Sequence, residues 1–111
     1  MKKYNKFDVI VTSFPFIEKI EITKVRPAVI ISSGSYNEKT EFVVIAMITS
    51  AKHSSLWNDI KITNHESLEL NSGSIIRMKF ANITQNSILH KIGKLSKSDQ
   101  SELQLKLKEI F

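Results

Sequence analysis

The sequence predicts a mainly β protein: a small, strongly bent antiparallel sheet or partly open barrel, finished by a C-terminal α-helix. Three observations carry this. Five or six short runs of β-branched and apolar residues follow one another through the first four-fifths of the chain. Glycine occurs only three times and proline twice, so nothing resembles a Gly-rich or Pro-rich linker. Only the segment after Ser96 changes to a helical period. No composition shift marks a boundary, and residues 1–111 read as a single domain.

The elements follow in order. Asp8 to Phe14 is a first strand. Pro27 to Ile31 is a second, with its proline at the start, where a strand tolerates one. Glu41 to Thr49 is apolar on both alternations and is therefore expected to be the central strand, covered on both faces. Asp59 to Thr63 alternates Ile60 and Ile62 with polar neighbours. Ser74 to Phe80 places Ile76, Met78 and Phe80 on one face, with Ile75, Arg77 and Lys79 on the other. A last strand, Ile88 to Leu95, contains Gly93 at a position suited to a bulge. Ser96 and Asp99 resemble a capping box with Asp in place of Glu. Leu103, Leu107 and Ile110 then recur at helical spacing, which predicts an amphipathic helix.

Composition narrows the function. The chain has 111 residues, 41% of them hydrophobic and 24% charged, as in an ordinary globular protein. Cysteine is absent, which removes disulfides, thiolate metal sites and Cys nucleophiles. The three histidines, His53, His65 and His90, lack metal-ligand spacing, and no Gly-rich loop can cradle a phosphate. Neither a metal nor a cofactor is expected. The first apolar stretch is too short and too broken for a signal peptide, and no run approaches the length of a membrane span, so a cytoplasmic location is expected. A net charge of +5 favours a polyanionic partner, nucleic acid first.

Of sixteen basic residues only Arg26 and Arg77 are arginine. A guanidinium is a rigid fork matched to two oxygens of one phosphate or carboxylate, and lysine is not. Pro27 stiffens the backbone where Arg26 leaves its strand. Thr49 and Ser50 form a hydroxyl pair at the end of the most apolar strand, where a rigid scaffold holds them in place. Arg77 and Lys79 stand about 7 Å apart on one strand face, near the repeat of a nucleic-acid backbone. Plainer readings fit each feature as well: an edge arginine holding a carboxylate, turn-forming hydroxyls, and a solvated strand face.

The serial order of the elements resembles the MazF/PemK family of toxins from bacterial type II toxin–antitoxin systems. Lys6-Phe7-Asp8-Val9-Ile10-Val11, Phe14-Pro15-Phe16, Val25-Arg26-Pro27-Ala28-Val29-Ile30, Ile45-Ala46-Met47-Ile48-Thr49-Ser50, Ser74-Ile75-Ile76-Arg77-Met78 and Lys91-Ile92-Gly93-Lys94-Leu95-Ser96 carry the resemblance across nearly the whole chain. It implies an SH3-like barrel that dimerises and cleaves single-stranded RNA at short sequences without metal. It also implies an antitoxin whose flexible tail lies over the RNA groove. By motif, Arg26 and Thr49 match the family's catalytic pair, and Arg77 matches an arginine that serves catalysis or RNA binding in some members. Three positions depart: Phe7 stands for the usual Gly, Lys79 for an acidic residue of some members, and residues 17–25 lack the histidine of others.

On this reading Arg26 binds the oxyanion of the scissile phosphate, Thr49 bonds the phosphate or orients the 2′-hydroxyl, and Arg77 is a second clamp. Ser50, Lys24, Lys52 and Lys79 are expected to contact the RNA, and Trp57 or Tyr36 to stack on its bases. Trp57 has the alternative of capping the core beside Leu56. Two rival functions remain for the same shape: a CcdB-like toxin that poisons DNA gyrase by protein contact, and a non-catalytic RNA-binding module.

Overall fold

The computed structural model describes residues 3–13, 25–50 and 57–111. Its elements are β1 (Asp8–Ser13), β2 (Val25–Ile30), α1 (Gly34–Thr40), β3 (Phe42–Ser50), β4 (Ile60–Lys61), β5 (Ser74–Thr84), a single 3-10 turn at Gln85–Ser87, β6 (Ile88–Lys94) and α2 (Lys97–Ile110). The strands form one antiparallel sheet in the order β4-β5-β3-β2-β1-β6. The sheet is strongly bent but not closed, with β4 and β6 at its edges.

Strand β3 is central and covered on both faces, as its double apolar alternation predicts. Val43 and Ile45 join Ile10, Ala28, Ile30, Ile83 and Ile88 in one core cluster. Ala46 and Ile48 face the other way, into a cluster with Val9, Val29, Ile60, Ile76 and the α2 residues Leu103 and Leu107. Each of the valine, isoleucine and leucine side chains among them contributes about 1.5–3 kcal/mol by leaving water. The last apolar position of the expected helix stripe, Ile110, is exposed instead.

Several elements differ from expectation. Strand β5 runs four residues beyond Phe80, because Ala81 and Ile83 carry the alternation into the first cluster. Its register shifts between Ala46 and Met47, which oppose Phe80 and Arg77 respectively, so Met78 and Lys79 fall within an irregularity of the ladder. Gly93 does sit at a bulge: Val9 opposes Gly93 while Ile10 opposes Lys91. A Cβ there would meet Leu68 at 2.6 Å.

Helix α1 was not legible as a periodic segment. Ser33 caps it by accepting from the Tyr36 N–H at 3.1 Å, and its one buried residue, Asn37, donates to the Tyr4 carbonyl at 2.8 Å. It is held by polar bonds rather than by an apolar stripe. Helix α2 starts as predicted, with Ser96 accepting from the Asp99 N–H at 3.3 Å. The Asp99 carboxylate takes a different partner from that of a capping box: it accepts from the Thr63 N–H at 2.8 Å and from the Thr63 hydroxyl. The helix start is thereby tied to the turn after β4.

Phe7, at the position the resemblance gives to glycine, has φ 75. This left-handed backbone costs a side-chain-bearing residue about 1–2 kcal/mol. Two backbone bonds hold it there: its N–H donates to the Ile30 carbonyl at 2.7 Å and its carbonyl accepts from the Leu95 N–H at 3.1 Å. Its ring packs against the α2-side cluster, and Lys6 Nζ lies 5.4 Å from the ring centroid.

Both Phe7→Gly and Phe7→Ala lose that ring, yet the glycine variant is expected to be the more stable by about 1 kcal/mol in urea titration. The usual order, alanine above glycine, would show that the left-handed backbone is relaxed in solution. Asp99→Ala strands the Thr63 N–H beneath the helix, and a loss of about 1–3 kcal/mol is expected in the same assay.

Candidate functional site

Register decides which side chains meet at one end of the sheet. Arg26 opposes Thr12 of β1. Strands β2 and β3 pair Ala28 with Met47, and the same register continued by two residues sets Arg26 opposite Thr49. Thr49 in turn opposes Ile75, which opposes Lys61. A second row runs Ala28, Met47, Arg77, since Met47 opposes Arg77. Continuing the β4–β5 register by one residue adds Asp59 opposite Arg77. Both rows lie on the face of Ala28 and Met47, about 7 Å apart along the strands, with about 4.8 Å between neighbouring strands.

Arg26, Thr49 and Arg77 are therefore brought together on one sheet face from three adjacent strands. Arg26 and Thr49 are half-buried, and Ser50, the last residue of β3, is exposed. Thr12 shares the row but not the role: it is fully buried and donates to the Ser87 carbonyl at 2.8 Å, fastening β1 to the 3-10 turn.

Arg77 is ion-paired. Its Nη2 lies 3.3 Å from Asp59 Oδ2, and its Nε donates to Oδ1 at 3.5 Å, so both carboxylate oxygens face one edge of the guanidinium. The Arg77 side chain is 27% exposed and that of Asp59 4%. The carboxylate is thus far less accessible than the guanidinium it holds. Asp59 is the residue the sequence reading missed; the signal was its place directly before the β4 alternation. Lys61, exposed and in the row of Arg26 and Thr49, was missed for the same reason.

The remaining expectations divide. Lys79 is exposed and lies two residues after Arg77, at the register irregularity of β5. Trp57 is 78% exposed, so it does not cap the core; Lys106 Nζ sits 5.3 Å from its ring centroid and covers one side of it. Tyr36 is not part of the cluster. Its hydroxyl donates to Asn82, five residues along β5 from Arg77, roughly 15 Å away. Lys24, Lys52 and His53 lie outside the described residues, as do residues 14–24 with the Phe14-Pro15-Phe16 motif. His90 is exposed on β6. Among the described residues no group of three or more His, Cys, Asp or Glu side chains is placed to hold a metal ion.

Two guanidinium groups and a hydroxyl on one rigid face can hold the oxygens of an anion whose neighbouring charges continue toward Lys61 or Lys79. A cavity of about 510 Å³ lies elsewhere, beside Tyr4, Asn37 and Gln85. Among the described residues no helix is long and apolar enough to cross a membrane.

No curated protein matches the chain by sequence. Solved structures match it in shape. MazF from Deinococcus radiodurans superposes with a TM-score of 0.77 at 16% identity, covering 99% of this chain and 97% of that one. A mycobacterial endoribonuclease in complex with its cognate antitoxin gives 0.74 at 12% identity, over 98% and 93% of the two chains. The toxin MazF-mt6 from Mycobacterium tuberculosis gives 0.73 at 17% identity, over 92% and 93%. At such identities these structures establish the fold alone. Residues 5–111 match the PemK-like, MazF-like toxins of type II toxin–antitoxin systems, and by that match the chain belongs to this family.

Proposed function

We propose that the chain is an endoribonuclease toxin that cuts single-stranded RNA at a short recognition sequence, without metal, and is neutralised by a cognate antitoxin. The observation that supports this reading is the register of β2, β3 and β5: Ala28 opposes Met47 and Met47 opposes Arg77, and the β2–β3 register continued by two residues sets Arg26 opposite Thr49 on the same face. Solved structures similar to it in shape include an endoribonuclease bound to its antitoxin and MazE–MazF complexes. A cytoplasmic homodimer is the corresponding working form.

In the proposed reaction the ribose 2′-oxygen attacks the adjacent phosphorus and loses its proton. The bond to the 5′-oxygen breaks, and that oxygen gains a proton. The products are a 2′,3′-cyclic phosphate and a 5′-hydroxyl end. Negative charge grows on the non-bridging oxygens, so preorganised donors aimed at them lower the barrier most. Arg26 supplies a fork of such donors from a strand stiffened by Pro27. Thr49, one strand away, bonds the phosphate or orients the 2′-hydroxyl, and Arg77 clamps a second oxygen. A guanidinium stays charged at neutral pH, so these arginines act as donors and not as bases. Ser50, Lys24, Lys52, Lys61 and Lys79 serve the flanking phosphates and sugars. Trp57 offers the ring side away from Lys106 to a base.

Purified protein incubated in EDTA with a long defined RNA is expected to give discrete cuts at a recurring short sequence, with cyclic-phosphate and 5′-hydroxyl ends. Arg26→Ala and Thr49→Ala abolish the cuts. Arg26→Lys, which keeps the charge but loses the fork, slows them at least tenfold with an unchanged melting temperature. RNA left intact by folded protein would overturn the reading and turn attention to gyrase and to RNA binding without cleavage.

Trp57→Ala is expected to weaken RNA binding by about 1–3 kcal/mol in a fluorescence anisotropy titration. Its thermal stability should barely change, because the ring is so exposed. A large fall in stability with unaltered RNA affinity would assign Trp57 to the fold instead.

A further inference from the structure

Asp59 is a nearly buried carboxylate placed against an arginine of the proposed site, and nothing in the reaction outlined above uses it. Its position is fixed by the backbone. The β4–β5 ladder ends at Ile60 opposite Ile76, and the next step of that register brings Asp59 beside Arg77. Both carboxylate oxygens then face the Nε and Nη2 edge of the guanidinium, at 3.5 and 3.3 Å. A planar guanidinium gripped along one edge cannot rotate about its long axis, so the direction of its remaining N–H groups is set. This matters because the β5 ladder is irregular at that point, where Met78 and Lys79 follow Arg77. Arg77 thus sits at a break in its own strand and is steadied from the strand on its other side.

We propose that Asp59 is a positioning residue for RNA cleavage: it aims the outer edge of Arg77 at the phosphate and offsets part of the arginine's charge until the substrate arrives. The proposal rests on the reading of Arg77 as part of an RNA-cleaving site. The carboxylate makes two separate contributions. Orientation acts on the chemical step, because a loosely held donor meets the developing oxyanion less often. Charge acts on binding in the opposite direction, because an Arg77 without this carboxylate beside it attracts any phosphate more strongly. Removing the charge of Asp59 while keeping its shape therefore separates kcat from affinity, which simple loss of structure cannot do.

The test uses full-length protein and a fluorescently labelled RNA oligonucleotide containing a mapped cut site. Single-turnover cleavage rate, RNA affinity at several salt concentrations and melting temperature are measured for wild type, Asp59→Asn, Arg77→Ala and the double variant. Asp59→Asn is expected to cleave about tenfold more slowly while binding RNA as tightly as wild type or more so. The dependence of log affinity on log salt should steepen by up to about 0.7 for the one added phosphate contact. In the Arg77→Ala background the Asp59→Asn change should have no further effect on rate, since Asp59 acts only through Arg77. Wild-type cleavage by a folded Asp59→Asn variant would overturn the proposal, as would an equal loss of rate in both backgrounds. A loss of affinity matching the loss of rate, with a lowered melting temperature, would assign Asp59 to the fold and overturn it too. Wild-type cleavage by Arg77→Ala would instead remove Arg77 from the site, and the role of Asp59 with it. If the wild-type protein leaves all RNA intact, the ribonuclease reading itself fails.

Discussion

The double burial of β3 is the constraint on which the rest depends. A strand apolar on both alternations must be covered on both sides, and here one side receives α2 and the other the turn of β1, β6 and the N-terminal segment around Tyr4. Polar side chains have no place along such a strand except at its ends. Thr49 and Ser50 occupy one end, and antiparallel pairing brings the start of β2 and the early part of β5 to the same spot. The concentration of chemistry there follows from packing: it is where the apolar demand of the central strand stops.

Much of this was legible in the sequence. Strand periodicity identified the central strand, the Gly93 bulge and the helix after Ser96, because each depends on local residue pattern. Arg26 and Thr49 were singled out by resemblance alone, and the β2–β3 register, continued by two residues, sets the two positions opposite each other. What could not be read depends on contacts between distant segments. Helix α1 has no apolar period; its buried anchor is Asn37, whose partners, Tyr4 and Gln85, lie far away in the chain. Asp59 looked like an ordinary strand-opening residue until the β4–β5 register set it against Arg77. The capping box at Ser96 was half right, since Asp99 finds Thr63, thirty-six residues away, before it finds the helix N-terminus.

Phe7 shows how far the fold tolerates local conflict. A glycine would accept the left-handed backbone at that point without strain, but it would leave the ring's place on the core cluster empty. The chain holds the strained residue with two backbone bonds reaching β2 and the segment before α2. Local preference gives way because three elements converge on one peptide, and a single residue's torsional cost is small beside that junction.

The register shift in β5 has a further consequence, for how the sequence can change length. Between Phe80 opposite Ala46 and Arg77 opposite Met47 the strand carries two residues more than its partner requires. Two is an even number, so the in–out alternation survives the irregularity, with Phe80 on the α2 side and Arg77 on the side of Met47. Losing both extra residues would straighten the strand and leave every side chain facing as it does now. Losing one would turn the whole downstream half of β5 inside out, exchanging Ile83 for its polar neighbours in the core. Insertions and deletions at this point are therefore compatible with the fold only by pairs, a parity rule that amino-acid identity between relatives does not reveal.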